Sequence, residues 1–303
     1  MPKLVFLGSK RAGLVALKKI LELVPVECIG AILSPDDSSD VRNEQYSFLS
    51  LAADYSIPYH VVKTSAETSE LIKRYTPDTV FVHGWYRMLA VSGFPGIQFL
   101  GFHFSLLPEY RGNAPLVWQI INGLDHCGVS FFVLTDGMDD GDIIDQRSFA
   151  LGPNESIGTA LDRANELVFK ILEDFIPNWL AESFLTRPQV SSPPSYCGLR
   201  LPNDGLINWD DSANNIHNFI RAQTHPYPGA YSRLSDVGII RFWESRIEIR
   251  NFYGVPGSVV EICSDSVVVA CGSGALCILH AEVDGQSSSR IPDALRSLRV
   301  RLQ

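Results

Sequence analysis

Short apolar runs alternate with longer segments of helical periodicity over the first 135 residues, and this alternation limits the possible folds more than any other feature. Strands that alternate with helices are expected to build a mostly parallel sheet, because each helix returns the chain to the same end of the sheet. The predicted strands are residues 3–7, 26–33, 60–62, 79–83, 97–104 and 127–135, and the predicted helices are residues 14–23, 47–55, 67–75 and a segment that begins at Pro115. The sequence therefore predicts a Rossmann-like α/β fold with helices on both faces of the sheet.

The C-terminal third of the chain has a different pattern. A helix predicted at residues 159–180 is followed by a stretch rich in Pro and Ser, which has the composition of an interdomain linker. Short strand-like runs separated by turn residues come next, and they are typical of a small antiparallel barrel. These runs are residues 239–243, 246–249, 258–263, 267–271 and 275–283, preceded by a helix at 213–222. We predict a Rossmann-like domain over 1–187, a linker over 188–202 and an OB-like β-barrel domain over 203–303.

The first predicted turn, residues 8–13, joins a strand to a helix and begins and ends with glycine. This Gly-x-x-x-x-Gly spacing lacks both the dinucleotide fingerprint and the Lys-Ser/Thr of a P-loop, so neither NAD nor ATP chemistry is indicated. Ser9, Lys10 and Arg11 lie in the turn, where helix N-terminal amides and two cations can meet a pyrophosphate. An ordinary turn between strand and helix is the alternative.

A histidine, His103, lies at the end of the predicted strand 97–104. Imidazole can donate or accept a proton near neutral pH, and ligands of open α/β sheets bind at the carboxyl ends of the strands. A structural histidine bonded to the backbone is the alternative. An acidic loop downstream strengthens the catalytic interpretation, because it places four Asp within seven residues, namely Asp136, Asp139, Asp140 and Asp142. Carboxylates this close repel one another unless they gain partners, so a functional loop is favoured over a simple solvated turn.

Two sequence blocks resemble a known family. The first is His103-x-Ser105-Leu106-Leu107-Pro108-x-x-Arg111-Gly112, and the second, 36 positions after the histidine, is Asp139-x-Gly141-Asp142. Together they resemble the signature of the formyltransferases that use formyltetrahydrofolate, which include methionyl-tRNA formyltransferase and the sugar N-formyltransferases. The resemblance implies that His103 moves the proton and contacts the formyl oxygen, while Asp139 orients the imidazole. The family normally has Asn-x-His in the first block, whereas this chain has Gly101 in place of the asparagine that helps to hold the formyl oxygen.

The same resemblance implies which residues bind the two substrates. For the formyl donor, 10-formyltetrahydrofolate, the implied residues are Tyr86, Arg87, Met88, Leu89, Leu107, Asp136, Gly137 and Asp140. For the acceptor, they are Ser105, Arg111, Gly112 and Asn113, in addition to Ser9, Lys10 and Arg11 of the first turn. The loop that contains Tyr86-Arg87-x-Leu89 is similar to that of sugar-acting members, and packing of its aromatic residues onto the sheet is the alternative explanation.

The charge of the chain bears on the choice of acceptor. The formal net charge is -9, and no run of five or six Lys or Arg is present. A protein that grips nucleic-acid phosphates is expected to carry clustered positive charge, so no nucleic-acid partner is predicted. We therefore predict the amine of a nucleotide-linked amino sugar as acceptor, with methionyl-tRNA as the alternative. A non-catalytic protein that binds folate or a sugar nucleotide is a second alternative, motivated by Gly101.

Metal binding and membrane insertion are not predicted. The six Cys are scattered without a Cys-x-x-Cys pair, and the seven His show no ligand spacing. A calcium loop counted from Asp136 fails, because Met138 and Arg147 occupy positions that need oxygen ligands. No apolar window is long enough for a membrane helix, and the apolar run at the N-terminus is too short for a signal peptide. A cytoplasmic location is expected, and a homodimer is compatible with the sequence.

Overall fold

The computed structural model describes residues 1–38, 40, 42–190, 192–235, 237–284 and 290–303. Ser191 of the predicted linker, and residues 236 and 285–289 of the predicted C-terminal domain, lie outside the described residues. The chain forms two compact units. The first contains Met1–Gly112, Gly128–Phe149 and Asp162–Tyr196, and the second contains Asn113–Cys127, Ala150–Leu161 and Cys197–Gln303. Two internal segments thus group with the C-terminal part of the chain, and the predicted domain limits at 187 and 203 stay a prediction.

The secondary structure follows the predicted alternation of strands and helices. Up to the end of the first long helix, the elements are β1 (Leu4–Gly8), α1 (Lys10–Leu23), β2 (Ile29–Pro35), α2 (Gln45–Asp54), β3 (Tyr59–Val62), α3 (Ser65–Tyr75), β4 (Thr79–His83), β5 (Gln98–His103), β6 (Arg111–Gly112), α4 (Pro115–Ile121), β7 (His126–Val133), β8 (Ile143–Ala150) and α5 (Ile157–Leu180). The remaining elements are β9 (Tyr196–Cys197), α6 (Ala213–Arg221), β10 (Ala230–Leu234), β11 (Gly238–Glu248), β12 (Val259–Ile262), β13 (Val267–Ala270) and β14 (Ala275–Val283).

Seven strands form the sheet of the first unit, in the order β3-β2-β1-β4-β5-β7-β8. The pairs among β1, β2, β3, β4 and β5 are parallel, whereas β7 runs antiparallel to β5. Every residue of β1 and β4 is buried, as expected for central parallel strands covered on both faces. An aromatic cluster covers one face, with Phe81 packed against the rings of Phe131, Phe175 and Trp179. The predicted mostly parallel α/β sheet is confirmed.

One local prediction about the first unit was wrong, and one of its strands was not predicted. Helix α1 begins at Lys10, so the predicted turn at 8–13 shrinks to Ser9 and Gly13 lies inside the helix. A Cβ atom at Gly13 would lie 2.7 Å from the carbonyl oxygen of His83, so glycine allows the helix to start directly against the end of β4. Strand β8 was not predicted, because its sequence Ile-Ile-Asp-Gln-Arg-Ser-Phe-Ala is half exposed and has no continuous apolar run.

The second unit contains the predicted antiparallel β-domain, with strand order β10-β11-β14-β13-β12. The two strands predicted at 239–243 and 246–249 are one strand, β11. Its pairing with β14 shifts register between Phe242 and Ser245, and this irregularity accounts for the interrupted pattern in the sequence. Strand β10 was not predicted, because it directly follows the turn-forming Pro228-Gly229.

The last four residues bridge the two edges of this sheet. Gln303 and Arg233 of β10 exchange both of their backbone hydrogen bonds, at 2.7 and 3.0 Å. On the other side, the amide of Leu302 donates to the Gly257 carbonyl at 2.9 Å, just before β12 begins. Backbone groups that would otherwise be left open on the edge strands therefore gain partners, and the sheet is closed as in a small barrel.

Other features predicted from composition can be compared with the structure. Along the described parts of the chain, no helix combines the length and the apolar content that crossing a bilayer demands. All six cysteines are free thiols, and five of them are buried.

We expect Gly257→Ala to destabilise the second unit by about 2 kcal/mol or more. The new side chain would strain the backbone and would also clash with the carbonyl of Leu302. Gly257 has φ +81°, and a Cβ there would collide with the carbonyl oxygen of Leu302. Gly238→Ala is the matched control, since Gly238 has φ +109° but open space around it. Thermal unfolding should show the larger loss for Gly257→Ala, and equal losses would contradict the closing role of the C-terminal residues.

Candidate active site

His103 and Asp139, the predicted catalytic pair, lie side by side at the carboxyl edge of the sheet. His103 ends β5 and is 7% exposed, and its Nδ1 lies 3.5 Å from Oδ2 of Asp139. Its Nε2 lies 2.7 Å from the carbonyl oxygen of Tyr110. Because a carbonyl oxygen can only accept, Nε2 is the protonated nitrogen of the neutral ring, and Nδ1 is left to take a further proton. Asp139 Oδ2 also accepts a hydrogen bond of 2.7 Å from the amide of Gly112.

The Leu107-Pro108 bend after His103 is held by two polar residues that the sequence did not identify. Ser130 of β7 is fully buried, and its Oγ accepts from the Leu107 amide at 3.0 Å and donates to the Ser105 carbonyl at 2.7 Å. Gln146 of β8 donates to the Leu107 carbonyl at 2.8 Å. Both residues act through hydrogen bonds to backbone that is distant in sequence, so no local pattern marks them.

The acidic loop separates its four carboxylates by giving each a different donor. Their partners are the amide of Ser92 for Asp136, the amide of Gly112 for Asp139, the hydroxyl of Thr135 for Asp140 and the hydroxyl of Thr186 for Asp142. The bonds from Ser92 hold the pKa of Asp136 below its usual range. Over the residues that the structure describes, no group of three or more His, Cys, Asp or Glu is arranged to hold a metal ion.

Two features fix the shape of this loop. Asp139 has φ 49°, a left-handed conformation that costs a non-glycine residue about 1 kcal/mol or more. Gly141 lies so close to the carbonyl of Val133 that any side chain would collide with it. The glycine of the Asp-x-Gly-Asp block is therefore required by packing, and the aspartate is held in a strained backbone that aims its carboxylate at His103.

The residues predicted to contact the acceptor fall into two groups. Arg111 and Gly112 adjoin Asp139, and Ser105, which is fully buried, donates to the Glu109 carbonyl at 2.6 Å. Asn113 belongs to the second unit, where its amide donates to the Cys197 carbonyl at 3.2 Å.

The second group surrounds the start of α1. Ser9 is buried and donates to the Gly84 carbonyl at 2.6 Å. Lys10 lies 3.4 Å from Asp40 and stacks over the Tyr86 ring at 5.2 Å, and Arg11 lies at the surface 4.0 Å from Asp162. Roles in binding remain predictions for both groups.

The residues predicted to contact folate, apart from Leu107, lie on two loops that touch. The bond of 3.1 Å from the Ser92 amide to Asp136 joins the loop after β4 to the acidic loop. Tyr86 donates its hydroxyl to Asp37, and Arg87 donates to the Val62 carbonyl at 2.8 Å. Met88 is exposed and Leu89 is buried in the core. Leu107 is buried, Gly137 donates its amide to Thr135, and Asp140 accepts from the Thr135 hydroxyl.

Gly101, where the family has asparagine, is covered by a neighbouring side chain. A Cβ atom at Gly101 would lie 2.5 Å from Cδ1 of Leu134 and 3.2 Å from the carbonyl oxygen of Val82. Gly101 and His103 lie on the same face of β5 because side chains of a strand alternate. Leu134 therefore occupies the space beside His103 that an asparagine side chain would need.

A second histidine, His83, ends β4 and was not singled out from the sequence. It is 6% exposed, and the rings of Phe102 and Phe104 lie 5.3 Å from its ring. Within the described ranges, neither of its ring nitrogens has a hydrogen-bond partner. Burial lowers the pKa of His83 to about 4, because the charged imidazolium would lose its hydration.

Comparisons with known proteins identify the family. Residues 39–176 match the model of the formyl transferase family, and residues 201–299 match that of the formyl transferase C-terminal domain. A methionyl-tRNA formyltransferase of Citrifermentans bemidjiense is 30% identical over 305 aligned positions, which cover 98% of this chain and 94% of that protein. The chain belongs to the formyl transferase family. The resemblance seen in the two sequence blocks is confirmed.

Two solved structures of N-formyltransferases share the fold. One is WlaRD, a sugar 3N-formyl transferase solved in the presence of dTDP and 5-N-formyl-THF, with a TM-score of 0.69, 19% identity and coverage of 95% of this chain and 99% of that one. The other is an N-formyltransferase from Helicobacter canadensis in complex with folinic acid and dTDP-3-aminofucose, with a TM-score of 0.67, 21% identity and coverage of 92% and 99%.

The depressed pKa of His83 predicts a loss of stability in acid. The unfolded chain takes up a proton near pH 6.5, whereas folded His83 does so only near pH 4, so its contribution to the free energy of unfolding falls as the pH decreases between these values. The loss at pH 4 is on the order of 3 kcal/mol. Urea titrations from pH 7.5 to 4 should therefore show a flatter dependence for His83→Leu than for the wild type. Parallel curves would mean that His83 gains a partner in solution.

Proposed function

We propose that this protein transfers a formyl group from 10-formyltetrahydrofolate to the amine of a nucleotide-linked amino sugar. The contact of His103 with Asp139, together with the hydrogen bond from Gly112 to the same carboxylate, supports the transfer chemistry. Bound 10-formyltetrahydrofolate would supply the formyl group on a nitrogen that departs when the acceptor amine bonds to the formyl carbon. The amine loses a proton in this exchange, and the departing nitrogen gains one.

His103 and Asp139 can transfer that proton. Nε2 of His103 is committed to the Tyr110 carbonyl, so Nδ1 takes the proton from the amine and returns it to the departing nitrogen. The Asp139 carboxylate, 3.5 Å away, stabilises the ring while it is positively charged. A side-chain amide is absent at Gly101, so holding the formyl oxygen falls to the protonated Nδ1 or to a backbone amide.

The residues present fit a folate. Trp85, in the loop after β4, has a buried indole nitrogen that lacks a partner among the described residues, and a bound heterocycle with an acceptor atom would satisfy it. The adjoining Tyr86, Arg87, Met88 and Leu89 would line one side of the ring, and Leu107, Asp136, Gly137 and Asp140 would line the other. The folate compounds in the two related sugar formyltransferases support this choice of donor.

Charge supports a small acceptor. Residues 197–303 contain ten Arg, no Lys and eleven Asp or Glu. Several of these arginines already pair with carboxylates, as Arg241 does with Asp284 at 2.5 Å and Arg290 with Glu244 at 2.5 Å. A tRNA would need many free cations to neutralise its phosphates, whereas a sugar nucleotide presents one pyrophosphate. The proposed contacts for this acceptor are Ser9, Lys10, Arg11, Ser105, Arg111 and Gly112.

Methionyl-tRNA is the second candidate acceptor. The methionyl-tRNA formyltransferase of C. bemidjiense aligns with 98% of this chain, and this similarity in sequence favours it. The two candidates differ in salt dependence, because binding of tRNA weakens steeply as counterions are added.

Replacing either member of the catalytic pair should remove most turnover. We expect His103→Ala and Asp139→Asn each to lower kcat by about 100-fold or more, since proton transfer of this kind contributes roughly 10²–10⁴-fold. Formamide product is measured by mass spectrometry with 10-formyltetrahydrofolate and a panel of nucleotide-linked amino sugars. Glu109→Gln is the control, because it removes an exposed carboxylate from the same loop. Near wild-type rates in either variant would refute the site, and binding of both substrates without product would favour the non-catalytic alternative.

Substitution of Lys10 separates the two halves of the site. Lys10→Ala should raise KM for the sugar nucleotide about tenfold while changing KM for folate little, because a charged hydrogen bond contributes roughly 1.5–3 kcal/mol. Lys18→Ala, on the exposed side of the same helix, is the matched control. A larger effect on folate would mean that the two substrates are exchanged in our assignment. Formylation of charged initiator tRNA, with no product from any sugar nucleotide, would instead establish the second candidate.

A further inference from the structure

The segment between α5 and β9, which contains the first part of the predicted linker 188–202, is attached to both loops of the candidate site. Arg187 exchanges two backbone hydrogen bonds with Ile143, at 2.8 and 2.9 Å, just after the acidic loop. Ser195 accepts from the Arg111 amide at 2.9 Å and donates to the Pro108 carbonyl at 3.3 Å. Gln189 lies between these two attachments and is half-buried, whereas its neighbour Val190 is 68% exposed.

Gln189 uses both ends of its side-chain amide. Its Nε2 donates to the carbonyl of Asp139 at 2.8 Å and to the carbonyl of Gly141 at 2.9 Å. Its Oε1 accepts a hydrogen bond of 2.6 Å from Nη2 of Arg111. Two donors and one acceptor in this arrangement are what a primary amide provides, and a carboxylate of the same length would offer none of the donors.

The two carbonyls held by Gln189 flank the strained part of the acidic loop. Asp139 keeps a left-handed φ of 49°, and such a conformation persists only where surrounding contacts fix it. Gln189 fixes it from the backbone side, while the carboxylate on the other side meets Gly112 and His103.

The third bond of Gln189 reaches the strand that supplies the Gly112 amide. Arg111 donates this hydrogen bond to Gln189 from its guanidinium, and Arg111 directly precedes Gly112 in β6. Gln189 therefore connects the loop that carries the Asp139 carboxylate to the strand that donates to it. Loss of this connection lets the donor and the acceptor move apart.

We propose that Gln189 is a positioning residue for formyl transfer, which holds Asp139 at the distance and angle that His103 requires. This inference rests on the proposed function. Gln189 acts through Asp139 and contacts neither the imidazole nor the reacting atoms, so its removal should slow the chemical step and leave binding of the folate nearly unchanged.

The primary test is a set of kinetic constants. Gln189→Ala should lower kcat by about 10- to 100-fold, because small misplacements of catalytic groups have effects of this size, and should change KM for the folate by less than about threefold. Gln189→Glu should be no better, since it keeps the length but sets an oxygen against two carbonyls. Val190→Ala is the matched control. A wild-type kcat in Gln189→Ala, or a loss confined to KM, would overturn the proposal.

A double-mutant cycle separates positioning from a general structural role. In an Asp139→Asn background, measured under single-turnover conditions with excess enzyme, Gln189→Ala should cost less than about twofold, because the group that it positions no longer performs its function. The same 10- to 100-fold loss in both backgrounds would show that Gln189 acts elsewhere.

An unfolding experiment keeps the inference distinct from the proposed function. The cycle formed by Gln189→Ala and Arg111→Ala should show a coupling of about fivefold or more in the unfolding equilibrium constant, because the two side chains share a hydrogen bond. This result is expected even if the wild type yields no formyl product, in which case only the proposed function fails. Additive effects of the two substitutions would overturn the network itself.

Discussion

The hydrogen bond from the Gly112 amide to the Asp139 carboxylate is the contact on which the candidate site depends. It joins residues that are 27 positions apart, and it is made by the same oxygen that faces His103. Every other feature near it serves to bring these three groups together. The sheet places His103 at the end of β5, and the Ser130 hydroxyl fixes the bend that follows. In the acidic loop, the left-handed backbone of Asp139 directs its carboxylate towards His103.

Such a site is stable because negative charge is distributed among separate donors. The acidic loop would be unfavourable if its carboxylates shared one space, since like charges at short range raise each other's free energy. Each carboxylate instead has an amide or hydroxyl of its own, and only that of Asp139 faces the imidazole. In the second unit, the charge of Arg250 is likewise balanced by carboxylates, with Glu248 and Glu261 at 3.0 and 2.6 Å.

The features predictable from sequence are those with a strong local pattern. The parallel strands are continuous apolar runs, and the His103 and Asp139 blocks have fixed spacing, so both were predicted. Strand β8 was not predicted because half-exposed edge strands lack such a run. Strand β11 was predicted as two strands because its register shift interrupts the alternation of apolar and polar residues. Ser130, Gln146 and Gln189 could not be found, because their importance lies in bonds to distant backbone groups that no local pattern encodes. His83 was missed because a polar residue without partners has no sequence signature.

Leu134, which lies against Gly101, makes the surroundings of His103 less polar. The sequence block that this chain resembles would have an asparagine at this point, whereas this chain presents an aliphatic side chain within packing distance of the His103 face. An aliphatic wall removes one place where water could be held by a hydrogen bond. A formyl group next to that wall would meet the acceptor amine more often than it meets water, so the exchange of a donor for a hydrocarbon would trade some rate for a higher yield of transfer over hydrolysis.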